Sequence, residues 1–346
     1  MPACLNRVGV AVPTWEMHDT FVRFADSLLQ TRRDRALLAR MVARGGIDRR
    51  WSVLESDAPT GFYAPGSFPS TGARMRVYEH HAPALAERAV QNLDLGESIR
   101  QVTHLIVVSC TGFVAPGIDL ALVERLGLRH DVERTVVGFM GCHAGLTALK
   151  LARHVVRSEP DAKVLVVSVE LCTLHFQETH ELEKILSFSL FGDGAAAALV
   201  TSEQTGFELD SFETLLVADE PGLITWSIRD QGFDMVLSGK VPGTLLRALR
   251  EDQARLVPDL ASVDTWMVHP GGRSILDAVD EAFALPGAAL DASRGVLSRH
   301  GNMSSATILF VAHDLLQRTE PCTRGLALAF GPGLTAETMR FHRARA

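Results

Sequence analysis

The sequence is poor in cysteine and in aromatic residues, and it contains no long hydrophobic run. Its 346 residues include 5 Cys, and 6% of them are Phe, Trp or Tyr. An odd number of widely spaced cysteines argues against a disulfide framework and favours a reducing compartment. No segment approaches the ~18 consecutive apolar residues of a membrane span, and the first residues lack the pattern of a signal peptide. We therefore expect a cytoplasmic protein without membrane insertion.

Positive charge is also in short supply. The chain has 34 Lys and Arg against 41 Asp and Glu, a net charge of −7. This balance excludes the broad basic surface that attracts nucleic acid, so no nucleic-acid partner is expected. A hydrophobic content of 47% excludes a disordered chain and predicts a full core. The length allows one large domain or two fused halves.

Short apolar segments alternate with helical patterns in the first part of the chain. The segments predicted as strands are 5–12, 104–113, 134–142, 163–172 and 194–202. Helices are predicted over 14–43, 143–157 and 178–187. Strands that are apolar on both faces and separated by helices predict an α/β fold, with a central sheet covered on each side.

The pattern then repeats loosely. A strand is predicted at 265–272, helices at 274–285 and 306–318, and a terminal hairpin at 324–341. We place the boundary near 203–210, as a seam between two packed halves that comprise residues 1–205 and 206–346. The Gly- and Pro-rich stretch 44–75 is predicted to be irregular. It is interpreted either as a lid or substrate loop, or as an ordinary surface loop.

Three residues carry candidate chemistry. Cys142 follows an apolar strand and Gly141 and precedes a helix, where the positive helix end favours a nucleophilic thiolate. His269 ends a strand before a glycine turn, a place where active sites gather in α/β sheets. Asn302 stands at the start of a helix. Taken singly, these residues are also explained as a buried cysteine, a structural histidine and a helix N-cap.

Together the three residues suit carbon–carbon bond formation on thioesters. His and Asn side chains can both donate hydrogen bonds to a thioester carbonyl, and they would stabilise the enolate that forms when a malonyl group loses carbon dioxide. An Asn in place of a carboxylate leaves no acid to pull a proton through the His. A Cys–His hydrolase is therefore a less attractive reading.

Five motifs then resemble those of the type III polyketide synthases, the chalcone and stilbene synthase-like enzymes. They occur in family order and are GFMGCHAG around Cys142, FGDGAAAALV at 191–200, VHPGGRSILD at 268–277, HGNMSSAT at 300–307 and FGPGLTAET at 330–338. The resemblance implies a thiolase-like fold of two similar βαβαβαββ halves in five layers, αβαβα, and a homodimer. It also implies acylation of Cys142, and decarboxylation of malonyl-CoA by His269 and Asn302. The resemblance further implies that free CoA thioesters are used directly as substrates, without a carrier protein. We expect neither a cofactor nor a metal.

The resemblance also implies roles for residues outside this trio. Phe191 falls on an aromatic gatekeeper position, or it is a strand-end aromatic in the core. Arg40 and Arg44 fall on positions that hold CoA phosphates, although their four-residue spacing also suits a solvated helix face. A third cation position of the family is Leu37 here. The phosphate contact is therefore expected to be weaker or differently built.

The cavity positions depart from the plant chalcone synthase pattern. Met235 replaces a second gatekeeper Phe, Trp226 a small Gly, and Cys110 and His175 two threonines. Small side chains at three further positions would open a side passage for an alkyl chain, or they reflect plain core packing; these are Thr111, Ala115 and Cys172. The resemblance places Ala115 near the cavity of the dimer partner, at a position where plant members have a larger Met. The pattern favours a bacterial-type enzyme that makes pyrones, resorcinols or phloroglucinols, with a fatty-acyl starter as the preferred reading.

Other readings remain open at this stage. Cys172, His175 and His180 form a C-x2-H-x4-H pattern, but three candidates without a partner cysteine pair do not predict a metal site. A ketoacyl synthase III-like enzyme, which condenses once onto acyl carrier protein, shares the fold and the Cys-His-Asn set. A thiolase-fold protein that binds acyl-CoA without catalysis is the alternative from another functional class.

Overall fold

The computed structural model describes residues 1–55, 59–217 and 220–344. The strands within these ranges are β1 (Cys4–Ala11), β2 (Trp15–Glu16), β3 (Trp51–Ser52), β4 (His104–Ser109), β5 (Glu133–Gly138), β6 (Val164–Leu171), β7 (Asp193–Thr201), β8 (Phe207–Leu216), β9 (Ile224–Arg229), β10 (Gly232–Leu237), β11 (Thr265–Val268), β12 (Gly325–Gly331) and β13 (Thr335–Arg343). The helices are α1 (His18–Leu28), α2 (Arg32–Arg44), α3 (Pro59–Phe62), α4 (Thr71–Gln91), α5 (Ile118–Leu126), α6 (Ala144–Ser158), α7 (Leu182–Phe188), α8 (Val241–Glu251), α9 (Gln253–Leu256), α10 (Arg273–Phe283), α11 (Asp291–His300) and α12 (Thr307–Leu316).

Nine of these strands form one sheet with an internal repeat. In the first half the order is β5-β4-β6-β7-β1, with β5, β4 and β6 parallel and β7 and β1 each antiparallel to its neighbour. In the second half β11 and β12 are parallel, and β13 and β8 follow as antiparallel strands. Strands β4-β6-β7-β1 therefore correspond in order and direction to β11-β12-β13-β8. Within the sheet, β1 of the first half pairs with β8 of the second half at two positions, Cys4 with Glu208 and Leu5 with Phe207.

Alternating side chains on the strands divide the core into layers. Ile106 and Val108 of β4 pack with α6 and α12 between the two halves of the sheet. Leu105 and Val107, on the opposite face of β4, pack with α4 and α5. In the second half, the outer face of β11 and β12 packs with α8 and α10. Because successive strand residues point to opposite faces, these clusters define five layers, αβαβα. The expected thiolase-like fold is thereby confirmed.

The strands predicted before residue 203 and at 265–272, the helices at 143–157, 274–285 and 306–318, and the terminal hairpin are confirmed with shifted ends. The helix predicted over 14–43 is wrong as one unit. Helix α1 ends at Leu28, and Leu29 is extended, with φ −81° and ψ 134°. A new helix then starts behind Thr31, whose side-chain oxygen accepts the Asp34 N–H at 3.0 Å. Thr31 is an N-cap inside an otherwise helical pattern.

The stretch 44–75 is less irregular than predicted. It contains α3 and the first residues of α4, whose N-cap Ser70 accepts the Ala73 N–H at 3.3 Å. Residues 56–58 of this stretch lie outside the described residues. Strands β8, β9 and β10 were not predicted, because their half-exposed sequences lack the apolar runs of the buried strands. Among the described residues, no helix is both long enough and apolar enough to cross a membrane.

Candidate active site

Cys142 lies in the turn between β5 and α6, two residues before the helix begins. Gly141 has φ +82°, a backbone conformation that is strained for residues other than glycine. A Cβ at this position would also overlap the ring of Pro332. The turn therefore requires glycine, and it presents Cys142 beside the start of the central helix.

The thiol of Cys142 is half-buried and faces the side chains of Ser304 and Asn302. Its Sγ is 3.7 Å from Ser304 Oγ and 4.0 Å from the Asn302 side-chain amide. Burial raises the pKa of the thiol to about 11, and the contacts from Ser304 and Asn302 oppose this effect only in part. The expected lowering of the pKa by the helix end is therefore outweighed, and the thiol is protonated near neutral pH.

Asn302 links the two halves of the site. Its backbone N–H donates to Leu190 O at 2.8 Å, and its carbonyl accepts the Gly192 N–H at 3.0 Å. Its side-chain oxygen accepts the Ser304 N–H at 2.8 Å, and its amide nitrogen donates to Gly271 O at 3.3 Å. The hydrogen bond from the Ser304 N–H to the Asn302 side chain explains why the sequence around Asn302 resembles a helix N-cap. The amide group is at the same time held beside Cys142.

His269 follows the last residue of β11, and its backbone N–H donates to Leu328 O at 2.8 Å. Neither ring nitrogen has a hydrogen-bond partner among the described residues, although the residue is buried. Burial lowers the pKa of the imidazole to about 3, so the ring is neutral at physiological pH. A neutral ring with unused nitrogens is able to accept a proton or to bind a substrate carbonyl.

These three residues line one apolar cavity of about 70 Å³. The cavity is lined by Cys110, Thr111, Gly141, Cys142, Cys172, Phe188, Phe191, Ile224, Trp226, Met235, Leu237, Val241, His269, Gly271, Ile275, Asn302, Ser304, Phe330, Gly331 and Pro332. Cys142 comes from the first half of the chain and His269 and Asn302 from the second. The cavity therefore forms where the ends of the two repeated units meet.

Two of the predicted cavity residues do not line this cavity. His175 is fully buried beside it, where Nε2 donates to Thr111 O at 2.7 Å and Nδ1 accepts the Phe233 N–H at 3.1 Å. Both nitrogens are thus used in joining the β9–β10 hairpin to the strand end. Ala115 is exposed on the surface and precedes a cis proline, Pro116. Neither His175 nor Ala115 lines the cavity of this chain. A place for Ala115 near the cavity of a dimer partner stays a prediction.

Trp226 lines the cavity in a fixed orientation. Its Nε1 donates to Cys110 O at 2.7 Å, and its ring packs edge-to-face on His175 and on Phe233. Met235 lies opposite Trp226 in the antiparallel β9–β10 pair. The hairpin thus contributes one wall of the cavity, and an indole fills much of the space there.

A larger cavity of about 670 Å³ adjoins the inner cavity and is called the entrance cavity below. It shares four residues with the inner cavity, namely Leu237, Val241, Gly271 and Ile275. Arg44 lines this entrance cavity, whereas Arg40 is exposed and does not. The structure therefore places only one of the two predicted phosphate-binding arginines at the entrance.

Sequence reasoning missed a buried carboxyl group next to the site. Glu170 of β6 is fully buried and accepts hydrogen bonds from the Cys110 N–H at 2.9 Å, from Thr111 Oγ1 at 2.7 Å and from Ser305 Oγ. Burial raises its pKa to about 7. An acidic residue inside the apolar run VLVVSVELC was the available sequence signal.

The C-x2-H-x4-H pattern does not converge. His175 binds backbone groups as described, and His180 Nδ1 binds Leu28 O at 2.7 Å. Cys172 instead lines the apolar cavity. Within the described ranges, these three side chains are not among the groups whose ligand atoms lie together.

Comparison with known families covers both halves of the chain. Residues 6–204 match the model of the chalcone and stilbene synthase N-terminal domain, and residues 208–344 match the C-terminal domain of the same family.

Curated relatives match at moderate identity. The alpha-pyrone synthesis polyketide synthase-like Pks18 of Mycobacterium tuberculosis is 33% identical over 287 residues, which cover 78% of this chain and 72% of that protein. Bisdemethoxycurcumin synthase of Oryza sativa subsp. japonica is 35% identical over 298 residues, which cover 79% and 74%.

Solved structures share the fold at lower identity. The C-terminal type III polyketide synthase domain of Steely1 from Dictyostelium superposes with a TM-score of 0.91 at 22% identity and covers 100% of both chains. PKS-I of the brown alga Ectocarpus siliculosus superposes with a TM-score of 0.87 at 24% identity, with 99% and 98% covered. With both family domains matched over almost the whole chain, the protein belongs to the chalcone and stilbene synthase family, the type III polyketide synthases, and is an acyltransferase.

Proposed function

We propose that Cys142, His269 and Asn302 carry out iterative decarboxylative condensation of malonyl-CoA onto an acyl starter. The observation that carries this proposal is the convergence of a thiol, a neutral imidazole and an amide on one apolar cavity. The two ring nitrogens of His269 have no hydrogen-bond partner among the described residues, and the Asn302 amide nitrogen lies 4.0 Å from Cys142 Sγ. The proposal accounts for all three residue types with no further catalytic group.

The first step is acylation of Cys142. Its Sγ attacks the thioester carbonyl carbon of the acyl-CoA starter, and its proton passes to the neutral ring of His269. The tetrahedral oxyanion collapses, the bond to the CoA sulfur breaks, and the CoA thiolate leaves with the proton returned from His269. The thiol must lose its proton to attack, and we assign this proton to the His269 ring, whose nitrogens have no hydrogen-bond partner among the described residues.

The second step is condensation. The thioester carbonyl of malonyl-CoA is held by the Asn302 amide and by the His269 ring, which donates from a protonated nitrogen. The bond between the malonyl carboxylate and the methylene carbon breaks, carbon dioxide leaves, and the electron pair forms an enolate that these two donors stabilise. The enolate carbon attacks the acyl carbonyl on Cys142 and expels the thiolate. The extended chain returns to Cys142 before cyclisation.

We propose a fatty-acyl starter and a pyrone- or resorcinol-type product. A second, smaller cavity of about 30 Å³ lies behind the wall formed by Cys172, Phe188 and Phe191. Aromatic side chains line it, including Phe21, Phe24, Tyr63 and Phe176. This apolar lining supports an alkyl chain running past the small Cys172 side chain. The naming of one relative for alpha-pyrone synthesis agrees with this reading.

We also propose that the enzyme is a homodimer. Strand β5 is at one edge of the sheet, and the solvent side of its backbone has no strand partner among the described residues. Three large apolar side chains near this edge are more than two-fifths exposed: Phe113, Val136 and Met140. An exposed apolar sheet edge favours pairing with a second copy of the same chain.

The remaining expectations belong to the same proposal. The enzyme uses free CoA thioesters without a metal or prosthetic group, because side chains supply every group in the steps above. It acts in the cytoplasm, and its two halves divide between residues 203 and 210. Incubation with malonyl-CoA and a panel of acyl-CoA starters, with EDTA present and carrier protein absent, tests the substrate and cofactor parts.

Replacing Cys142 with alanine tests the mechanism. We expect C142A to form no polyketide, because no thiol holds the starter. Slow conversion of malonyl-CoA to acetyl-CoA is expected to remain, since His269 and Asn302 still stabilise the enolate. Mass spectrometry of products and of released acetyl-CoA measures both. The buried Cys322, which lies outside the cavity, gives the control C322A. Polyketide formation by C142A at the wild-type rate would contradict the assignment.

A further inference from the structure

The entrance cavity carries two arginines that come from different halves of the chain. Arg44 is the last residue of α2, and Arg273 is the first residue of α10. Both line the 670 Å³ cavity, which shares Gly271 and Ile275 with the inner cavity. A substrate that enters by this route with its reactive end towards Cys142 leaves its other end between the two arginines.

We propose that Arg273 binds the nucleotide phosphates of the CoA thioesters together with Arg44. It thereby supplies the cation that is missing at Leu37. This inference rests on the proposed use of CoA thioesters. It assigns a binding residue that lies in the second half of the chain, far in sequence from Arg40 and Arg44.

A hydrogen bond to the backbone of Arg44 orients the Arg273 side chain. Its Nη1 donates to the backbone carbonyl of Arg44 at 3.1 Å, so the two side chains start from adjoining points of the rim. The bond also satisfies a carbonyl at the end of α2, where a positive charge is favourable. The guanidinium keeps further N–H donors for a ligand, and the side chain is 54% exposed.

The acidic partner of Arg273 is held more closely by another arginine. Asp277 lies 3.5 Å from Arg273 Nε, but its other oxygen pairs with Arg294 Nη1 at 2.8 Å. Arg294 also pairs with Asp280 at 3.3 Å, and the contact between Arg273 and Asp277 is the longest of these three ion pairs. The other carboxylate in the cavity wall, Glu183, accepts the Gly239 N–H at 3.2 Å on a different part of the lining.

Guanidinium groups suit phosphates in particular. Their planar N–H pairs match two phosphate oxygens, and an exposed pair of arginines at a cavity mouth binds an anion without the cost of burying a charge. The lining of the entrance cavity also includes the apolar side chains of Leu186, Leu190 and Leu237. The arrangement fits a long thioester that is polar and anionic at the outer end and weakly polar along its arm.

Steady-state kinetics on two classes of thioester test the inference. Malonyl and acyl thioesters of CoA carry the phosphates, and the N-acetylcysteamine thioesters of the same acids do not. We expect R273A to raise KM for the CoA substrates about tenfold with kcat unchanged. The same variant should leave the kinetics with N-acetylcysteamine thioesters unaltered. R273K should restore part of the affinity.

Further variants separate charge from structure. R273Q keeps an N–H donor for the Arg44 carbonyl but has no charge, so we expect it to behave like R273A. The matched control is R318A, because the exposed Arg318 lines neither of the two cavities. An unchanged KM for CoA substrates in R273A overturns the inference. An equal rise with both thioester classes also overturns it, because that result indicates a structural role.

Binding of free CoA, measured by calorimetry, keeps this inference separate from the proposed function. If wild-type protein makes no polyketide from either thioester class, the proposed function fails. The inference about Arg273 still stands if R273A binds CoA about tenfold more weakly than wild type. If wild type makes polyketide and R273A binds CoA as well as wild type does, the inference alone fails.

Discussion

Glu170 shows how one buried residue links the site to the stability of the fold. Its carboxyl group accepts hydrogen bonds from the Cys110 N–H and the Thr111 hydroxyl, and both of these residues line the inner cavity. Burial raises its pKa from 4.5 to about 7. Between these two pH values the folded protein therefore keeps a proton that the unfolded chain has already released.

Stability is expected to fall as pH rises through this window. Because the folded state binds more protons between about pH 4.5 and pH 7, the free energy of unfolding decreases there and then levels off. We expect E170Q to remove up to about 3 kcal/mol of this decrease. Urea unfolding of wild type and E170Q at pH 5 and pH 8 measures the difference.

The exposed Glu203 provides the control for loss of a carboxylate. E203Q should keep the pH dependence of the wild type. A wild-type free energy of unfolding that is constant or rises between pH 5 and pH 8, relative to E170Q, would contradict a proton held by Glu170.

The convergence of Cys142, His269 and Asn302 on one cavity was predictable from the sequence, but the electrostatics of these residues were not. Cys142, His269 and Asn302 stand in short motifs next to glycine turns, and these local patterns lead to the observed cavity. The pKa of Cys142 depends instead on side chains up to 162 positions away, such as Ser304, and on exclusion of water. Burial is a property of the packed chain, so the expected lowering of this pKa was wrong.

At the scale of single elements, strand β5 lies at the edge of the sheet, and one side of its backbone has no strand partner among the described residues. It forms a parallel ladder with β4, and four of its six residues are exposed. Val136 is 54% exposed in the middle of the strand. A β-branched residue on an open edge favours strand addition, and a lysine there opposes it.

We expect the wild-type protein to have twice the 37.6 kDa chain mass in solution, and V136K to shift towards the monomer. Two lysines brought together across a paired edge would repel each other. Size-exclusion chromatography with light scattering gives the mass. The control is I228K on β9, where Ile228 is also 54% exposed. A monomeric wild type, or a V136K protein that stays fully dimeric, would contradict pairing through β5.

Elements with strong periodicity were the ones predicted well. The buried strands β4, β6 and β7 read as unbroken apolar runs, and α6 and α10 have clear apolar faces. The β9–β10 hairpin has a mixed pattern because one face lines the cavity and the other meets solvent. Its position depends on the Trp226 and His175 hydrogen bonds, which form only in the folded protein.

On the scale of the whole molecule, the two halves share their central layer. Helices α6 and α12 pack against each other and against both halves of the sheet in one apolar cluster. Leu149 of α6 is fully buried in this cluster. Removing its side chain should therefore weaken both halves together rather than one of them.

We expect L149A to lower the free energy of unfolding by about 2–5 kcal/mol, through lost burial and the remaining cavity. Unfolding should remain a single transition, with far-UV and near-UV circular dichroism changing together in urea. The exposed Leu216 of β8 supplies the control L216A, for which a change within about 0.5 kcal/mol is expected. Two separated transitions in wild type or in L149A would contradict a shared core.

The alternation of apolar strands and helices, the repeat of that pattern and the motifs around Cys142, His269 and Asn302 all follow from local sequence. They depend on residue spacing and on backbone conformation at a few glycines, so they can be inferred without coordinates. The cavity walls, the partners of His175 and the approach of Arg273 to Arg44 could not be inferred in this way. These features join residues separated by up to 229 positions, and only packing of the two halves brings such residues into contact.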